Sequence, residues 1–384
     1  MACPWLSRAR RSGLGNATAR CERYNSAMRA ITVVPGDRAS AELSEVPEPE
    51  PGAGDLLVQP LLLGVCGTDR EIVDGIHGEA PAGRDRLVLG HELLGRVHSA
   101  PDASGASEGD LVVGIVRRPD PEPCVCCAHG EWDMCRNGRY TERGIKALDG
   151  YGAELVTIES DFAVRVDPEL GDLGVLMEPA SVLAKAWEQI DRIAGRACAG
   201  HERALVTGAG PIGLLAALMG VQRGLELHVL DRADEGIKPE LVRDLGASYH
   251  TGSIEELSAQ IRPEIIVECT GVAQLVMDAM QHNAPGAIVC LTGVGESRSL
   301  TVDMGALNNA VVLENDVVFG SVNANRRHFE QAGEALVKAD RRWLRRLITR
   351  HVPLERWRDA LEKEEDDIKT VIEFPAAVSG GGDG

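Results

Sequence analysis

RALVTGAGPIG, residues 203–213, decides the fold. RALVT is a short apolar strand, and it runs straight into Gly208-Ala209-Gly210-Pro211-Ile212-Gly213, the spacing G-x-G-x-x-G at a strand-to-helix turn. Gly208 permits the tight turn, Gly210 lets the backbone approach a pyrophosphate, and Gly213 lets the following helix pack on the sheet. The amides of the first helical turn, around Pro211 and Ile212, then face phosphate with the positive end of the helix dipole. Asp231 ends the next strand, ELHVLD, 18 residues after Gly213, where an acid accepts hydrogen bonds from the adenosine ribose. Its charge repels a 2′-phosphate and favours NAD. Arg232 follows at once as a possible partner for that phosphate, which keeps NADP as the alternative.

Working outward, strands and helices alternate downstream: ELHVLD, KPELVRDLG, SYHT, IEELSAQI, EIIVECTG, VAQLVMDAMQHN, GAIVCLTGV and a last strand, VVFGSVN. That grammar predicts a doubly wound parallel sheet, an α/β unit over 191–323. After Asn325, helical stretches are expected around HFEQAGEALVKA and LERWRDALEKE, then a strand, TVIEF. Upstream, from Met28 to about Ile190, short strands such as DLLVQPLLLGVCG and DLVVGIV are separated by Pro/Gly/Asp-rich joints. This is all-β grammar, with a helical bridge over Glu178 to Arg192. Residues 1–27 carry five arginines and one acid without strand or helix period. They are expected to be a disordered extension or a start-site artefact.

Bulk properties narrow the function. A chain of 384 residues has room for two cores. The net charge of −19 argues against nucleic acid or an anionic membrane as partner. No apolar run approaches the ~18 residues of a membrane-spanning helix, so a cytoplasmic protein handling a small neutral molecule is expected. Of ten cysteines, four fall within Cys124 to Cys135. In a reducing compartment such clustering points to metal.

Three upstream segments carry ligand-type side chains: Cys66-Gly67-Thr68-Asp69, Leu89-Gly90-His91-Glu92 and Met177-Glu178-Pro179. Singly none is diagnostic. In this order, ahead of a G-x-G-x-x-G unit, CGTDREI, LGHE and LMEPAS resemble the zinc alcohol dehydrogenases of the medium-chain superfamily, and more narrowly their glucose dehydrogenase branch. The likeness runs from about Met28 to Phe374. It implies a GroES-like β-rich catalytic domain over 28–190 and 324–384, and a Rossmann domain over 191–323. It also implies a catalytic zinc lined by Cys66, His91, Glu92 and Glu178. Thr68 is then the hydroxyl that starts the substrate proton on its way out as hydride leaves for the nicotinamide, and Asp69 a partner orienting the histidine.

The resemblance extends to a second, structural zinc. Relatives space its ligands C-x2-C-x2-C-x7-C, and Cys124, Cys127 and Cys135 reproduce the last three. The first would fall at Pro121, which cannot ligate. Asp120 is the tentative fourth ligand, with Glu122 or Cys126 as alternatives. A metal-free loop and a thiol switch at Cys126-Cys127 also remain open. In the same branch Glu142 is placed facing the sugar and Asn323 beside both sugar and cofactor. Val116 and Val182 replace polar residues found in some relatives. Another aldose, a polyol, an aminocyclitol or an amino-acid alcohol therefore stands beside glucose as substrate. A homodimer or homotetramer is expected. A non-catalytic nucleotide-binding redox sensor on the same fold is the reading from a different class.

Overall fold

The alternation that marks 203–320 builds a six-stranded all-parallel sheet in the order 248–250, 226–230, 203–207, 265–268, 288–291, 317–320. The first strand of the unit is central and the direction of winding reverses beside it. In open α/β sheets that switch point is where ligands bind. The computed structural model describes residues 27–198, 200–295, 299–364 and 366–375. The expected N-terminal extension lies outside these except for Ala27, which opens the first strand, Ala27–Val33. The Gly-rich end from Ser379 also lies outside them.

Period-2 alternation assigns each strand's two faces. Ala204, Val206, Ile265, Val267, Ile288 and Cys290 enter one core, while Leu205, Ile266 and Val289 enter another on the opposite face. The upstream β region does the same. In the strand Asp55–Val65, Leu62 joins the large core and Leu63 the second; its neighbour Glu92–Ser99 splits Leu94 and Leu93 likewise. The large core therefore runs from the parallel sheet through to the β-rich sheet. The helix Met177–Ala194 bridges them. Its Trp187 is fully buried, donates Nε1–H to the Ala216 carbonyl at 3.2 Å and packs against Gly220.

Asp55–Val65 is the hub of a seven-stranded sheet. It pairs antiparallel with Glu92–Ser99 on one side and with Lys369–Glu373, near the end of the chain, on the other. Lys369–Glu373 in turn pairs parallel with Ile348–Pro353. The stretch after Asn325 departs from expectation in detail. Arg326–Val337 is helical as read, but LERWRDAL is a 3₁₀ segment, Leu354–Leu361, interrupted at Arg356. The strand Ile348–Pro353 and the helices Met304–Glu314 and Arg341–Leu347 were not anticipated. Arg341–Leu347 carries four arginines in seven residues and relies on Asp340, whose carboxylate caps the Arg342 amide at 2.7 Å. Met304–Glu314 buries only Leu307, so it has no apolar stripe to detect. Among the described residues no helix is long and apolar enough to cross a membrane.

Candidate functional site

Strand register assembles the first cluster. Gly64 pairs with Glu92 and Val65 with Thr370, so His91, Glu92 and Lys369 converge where the hub strand ends and Cys66 begins the helix Gly67–Val73. Cys66 is the N-cap. Its sulfur accepts the Thr68 amide at 3.2 Å, and its own amide donates to Asp69 Oδ2 at 2.9 Å. Cys66 Sγ lies 3.1 Å from His91 Nε2. Sγ of Cys66, a ring nitrogen of His91 and a carboxylate oxygen of Glu92 all lie within 4.8 Å of one another. Glu178, in the first turn of Met177–Ala194, stands just outside that triplet. Burial, then the like charge of Glu92, push its carboxyl up to about 7. Thr68 is half-buried in the first turn after Cys66.

The electrostatics suit a divalent cation. Burial opposes a charged His91, but Cys66 and Asp69 outweigh it and hold the imidazole well above its ordinary value. Asp69 Oδ1 faces His91 Nδ1 at 3.4 Å, and both atoms are buried without an aligned hydrogen-bond partner. An S/N/O donor set with surplus negative charge is the chemistry of a catalytic zinc site. Sequence reasoning missed Lys369, 1% exposed, whose ammonium pairs with Glu92 and donates to the Val65 carbonyl at 3.2 Å. Burial works against its charge, yet Glu92 and Cys66 hold its pKa above the usual lysine value. A lysine opening an otherwise buried strand, in a chain with six lysines, was the available signal. Gly64 belongs here too: a Cβ would collide with the Glu92 carboxylate and the Lys369 stem.

Three sulfurs gather at the second cluster, those of Cys124, Cys127 and Cys135. The amides of Arg136 and Cys127 draw the Cys124 thiol down to about 6, while burial raises Cys127 to about 11. Asp120 does not join them. Its carboxylate is already engaged by the Glu122 amide at 2.8 Å and by Arg139 Nε at 3.3 Å. Glu122 is likewise held by Arg139, at 2.8 Å.

At the dinucleotide turn Gly208 has φ +89°, a Cβ on Gly213 would strike the Gly208 carbonyl, and the space in front of Gly210 is open. Gly210 caps the helix Pro211–Gln222, with Pro211 at its first position and Ile212 behind it. Asp231 Oδ2 accepts the Ala209 amide at 2.6 Å, and Oδ1 accepts those of Arg232 and Ala233 at 2.7 and 3.2 Å. Burial opposes its charge, but these amides hold the carboxyl below its ordinary value. Arg232 lies exposed beside it.

The third group joins residues 181 positions apart: Asn323 Nδ2 donates to Glu142 Oε1 at 2.8 Å. The same oxygen accepts Arg117 Nε at 3.0 Å, and the guanidinium stacks 3.7 Å from the Tyr140 ring. Arg117, 6% exposed, had no role in the sequence reading. The turn that follows Glu142 packs through Gly144 on Gly90, next to His91.

Residues 52–168 match the alcohol dehydrogenase GroES-like domain, and 171–374 the glucose dehydrogenase C-terminus. The chain belongs to the zinc alcohol dehydrogenase superfamily, in its glucose dehydrogenase branch. It is 40% identical to glucose 1-dehydrogenase of Methanocella arvoryzae over 91% of this chain and 100% of that one. With glucose 1-dehydrogenase of Thermoproteus tenax it shares 41% over 90% and 99%. Among solved structures, glucose dehydrogenase of Haloferax mediterranei in complex with NADP, Zn and gluconolactone superposes with a TM-score of 0.84. That protein is 34% identical, over 91% of this chain and 100% of that one. The GroES-like and doubly wound parts expected from the sequence are the architecture of this family.

Proposed function

We propose that the chain oxidises the C1 hydroxyl of an aldose, glucose or a near relative, passing hydride to a nicotinamide dinucleotide, with NAD favoured over NADP. The observation that carries this reading is the Glu142–Asn323 contact beside the Cys66–His91–Glu92 cluster. It offers a carboxylate and an amide for sugar hydroxyls next to a place for a metal. A zinc ion held by Cys66, His91 and Glu92, with Glu178 as a further carboxylate, would polarise the substrate hydroxyl, and the nicotinamide would take the hydride.

The chain's own residues do the rest. The amides from Gly210 onward bind the pyrophosphate, and Asp231 binds the ribose. Asp69 keeps the His91 ring turned so that Nε2 points at Cys66. Thr68 takes the hydroxyl proton and passes it outward. Glu142 and Asn323 fix which hydroxyl is presented, with Arg117 holding Glu142 in place. Cys124, Cys127 and Cys135 would hold a second zinc and so stiffen their loop, with rotation of Asp120 or Glu122, or Cys126, as the source of a fourth ligand. We take 28–190 with 324–384 as the catalytic domain and 191–323 as the cofactor domain. We also take the chain as a cytoplasmic homodimer or homotetramer; none of the eight described cysteines is in a disulfide, which fits a reducing compartment. The test is a panel of aldoses, polyols and simple alcohols, each with NAD and NADP, followed by nicotinamide absorbance. Turnover of simple alcohols with none for any aldose overturns the proposal.

A further inference from the structure

Asp133 lies two residues before Cys135, in the turn Trp132–Met134, and is 4% exposed. Its carboxylate forms an ion pair with Lys185 Nζ at 2.9 Å and accepts Asn325 Nδ2 at 2.9 Å. Its backbone carbonyl accepts Arg117 Nη1 at 3.1 Å. Lys185, 3% exposed in the middle of Met177–Ala194, also donates to the Val322 carbonyl at 3.0 Å. Val322 and Asn325 are thus tied down on either side of Asn323, which sits at φ +62°. A left-handed conformation at a non-glycine residue persists where its surroundings over-determine it. Glu142, meanwhile, is held by the same Arg117 that reaches Asp133.

A buried ion pair adds little stability relative to apolar packing, so stability alone does not account for this one. Its geometry does. One residue grips both partners of the Glu142–Asn323 contact: Glu142 through Arg117, Asn323 through Lys185 and Asn325. We propose that Asp133 and Lys185 are positioning residues that clamp Glu142 and Asn323 in register across the cleft, so that the cysteine-bearing turn sets the geometry of the sugar-binding pair. The proposal rests on reading Glu142 and Asn323 as sugar contacts.

The test uses the zinc-loaded full chain with Lys185→Met and Asp133→Asn, alone and combined with Asn323→Ala. Lys185→Met should raise the KM for glucose about tenfold, the equivalent of one lost hydrogen bond, with kcat and the KM for the dinucleotide within about threefold. In the Asn323→Ala background the same change should add less than about twofold, because Lys185 reaches the pair on the Asn323 side, through the Val322 carbonyl, while the Arg117 arm hangs on the Asp133 backbone. A full tenfold addition there, or an unchanged KM in the single variants, overturns the clamp. Asn325→Ala leaves the ion pair intact and gives the same comparison if a charge variant fails to fold. A wild type that turns over no aldose refutes the reading of the site instead. Hydrogen exchange at 321–325 then decides the clamp independently: faster exchange in Lys185→Met supports it, and unchanged exchange refutes it.

Discussion

Replacing Lys369 with methionine keeps the stem and removes the ammonium. Glu92, 2% exposed, then loses the cation that now pairs with it. Leaving one member of a buried pair uncompensated costs about 3–5 kcal/mol, and that is the expected loss in chelator-treated protein. Zinc at Cys66, His91 and Glu92 supplies a replacement counter-charge, so the zinc-loaded protein should lose less. The two losses are linked. A gap of about 1.4 kcal/mol between them equals a tenfold tighter zinc affinity in the variant. Equilibrium urea unfolding in chelator and in buffered zinc measures both losses, and competition with a chromophoric chelator measures the affinity independently. An equal loss in the two conditions would refute the reasoning, because the metal would then not sit against Glu92. A loss below about 1 kcal/mol in chelator would place the pair with exposed ones.

Cys66→Ser and His91→Ala should each abolish turnover while dinucleotide binding, followed by nicotinamide fluorescence, stays near wild type; near-normal kcat in both would remove the metal from the mechanism. Asp231→Asn keeps one acceptor oxygen but turns an NH2 toward either the Ala209 amide or those of Arg232 and Ala233. It should cost NAD about 1.5–3 kcal/mol, one to two decades in kcat/KM, and narrow the gap to NADP. A wild type preferring NADP by tenfold or more would show that Arg232 outweighs it. Cys135→Ser should lower bound zinc by one ion per chain and reduce the thermal midpoint while the remaining zinc still supports turnover. Unchanged zinc content would mean that the three sulfurs hold no metal.

What was legible followed from local rules. G-x-G-x-x-G and the strand–helix alternation are short patterns whose chemistry shows in the residues themselves, whereas the segments around Cys66, His91 and Glu178 were legible only in combination, through the family resemblance. In the C-terminal stretch TVIEF was read as a strand but Ile348–Pro353 was not, because it is an edge strand only through its parallel pairing with Lys369–Glu373, which nothing beside it in the sequence signals. Arg117 and Lys185 were invisible for the same reason, and Lys369 had only its place at the head of a buried strand to mark it: a charged side chain reads as surface until its distant partner is known. Asp120 was put forward on spacing, and spacing cannot show that an arginine and an amide already occupy its carboxylate.

The hub strand also fixes an order of events during synthesis. Lys369 donates to Val65 across 304 positions of sequence. Cys66, His91 and Glu92 therefore leave the ribosome long before the side chain that balances their charge. Until then the nascent sheet has an open edge at the hub strand and an excess of anionic donors beside it. Such an edge invites mispairing. The closing strand completes both at once: the segment that pairs with the hub strand also brings the ammonium to Glu92.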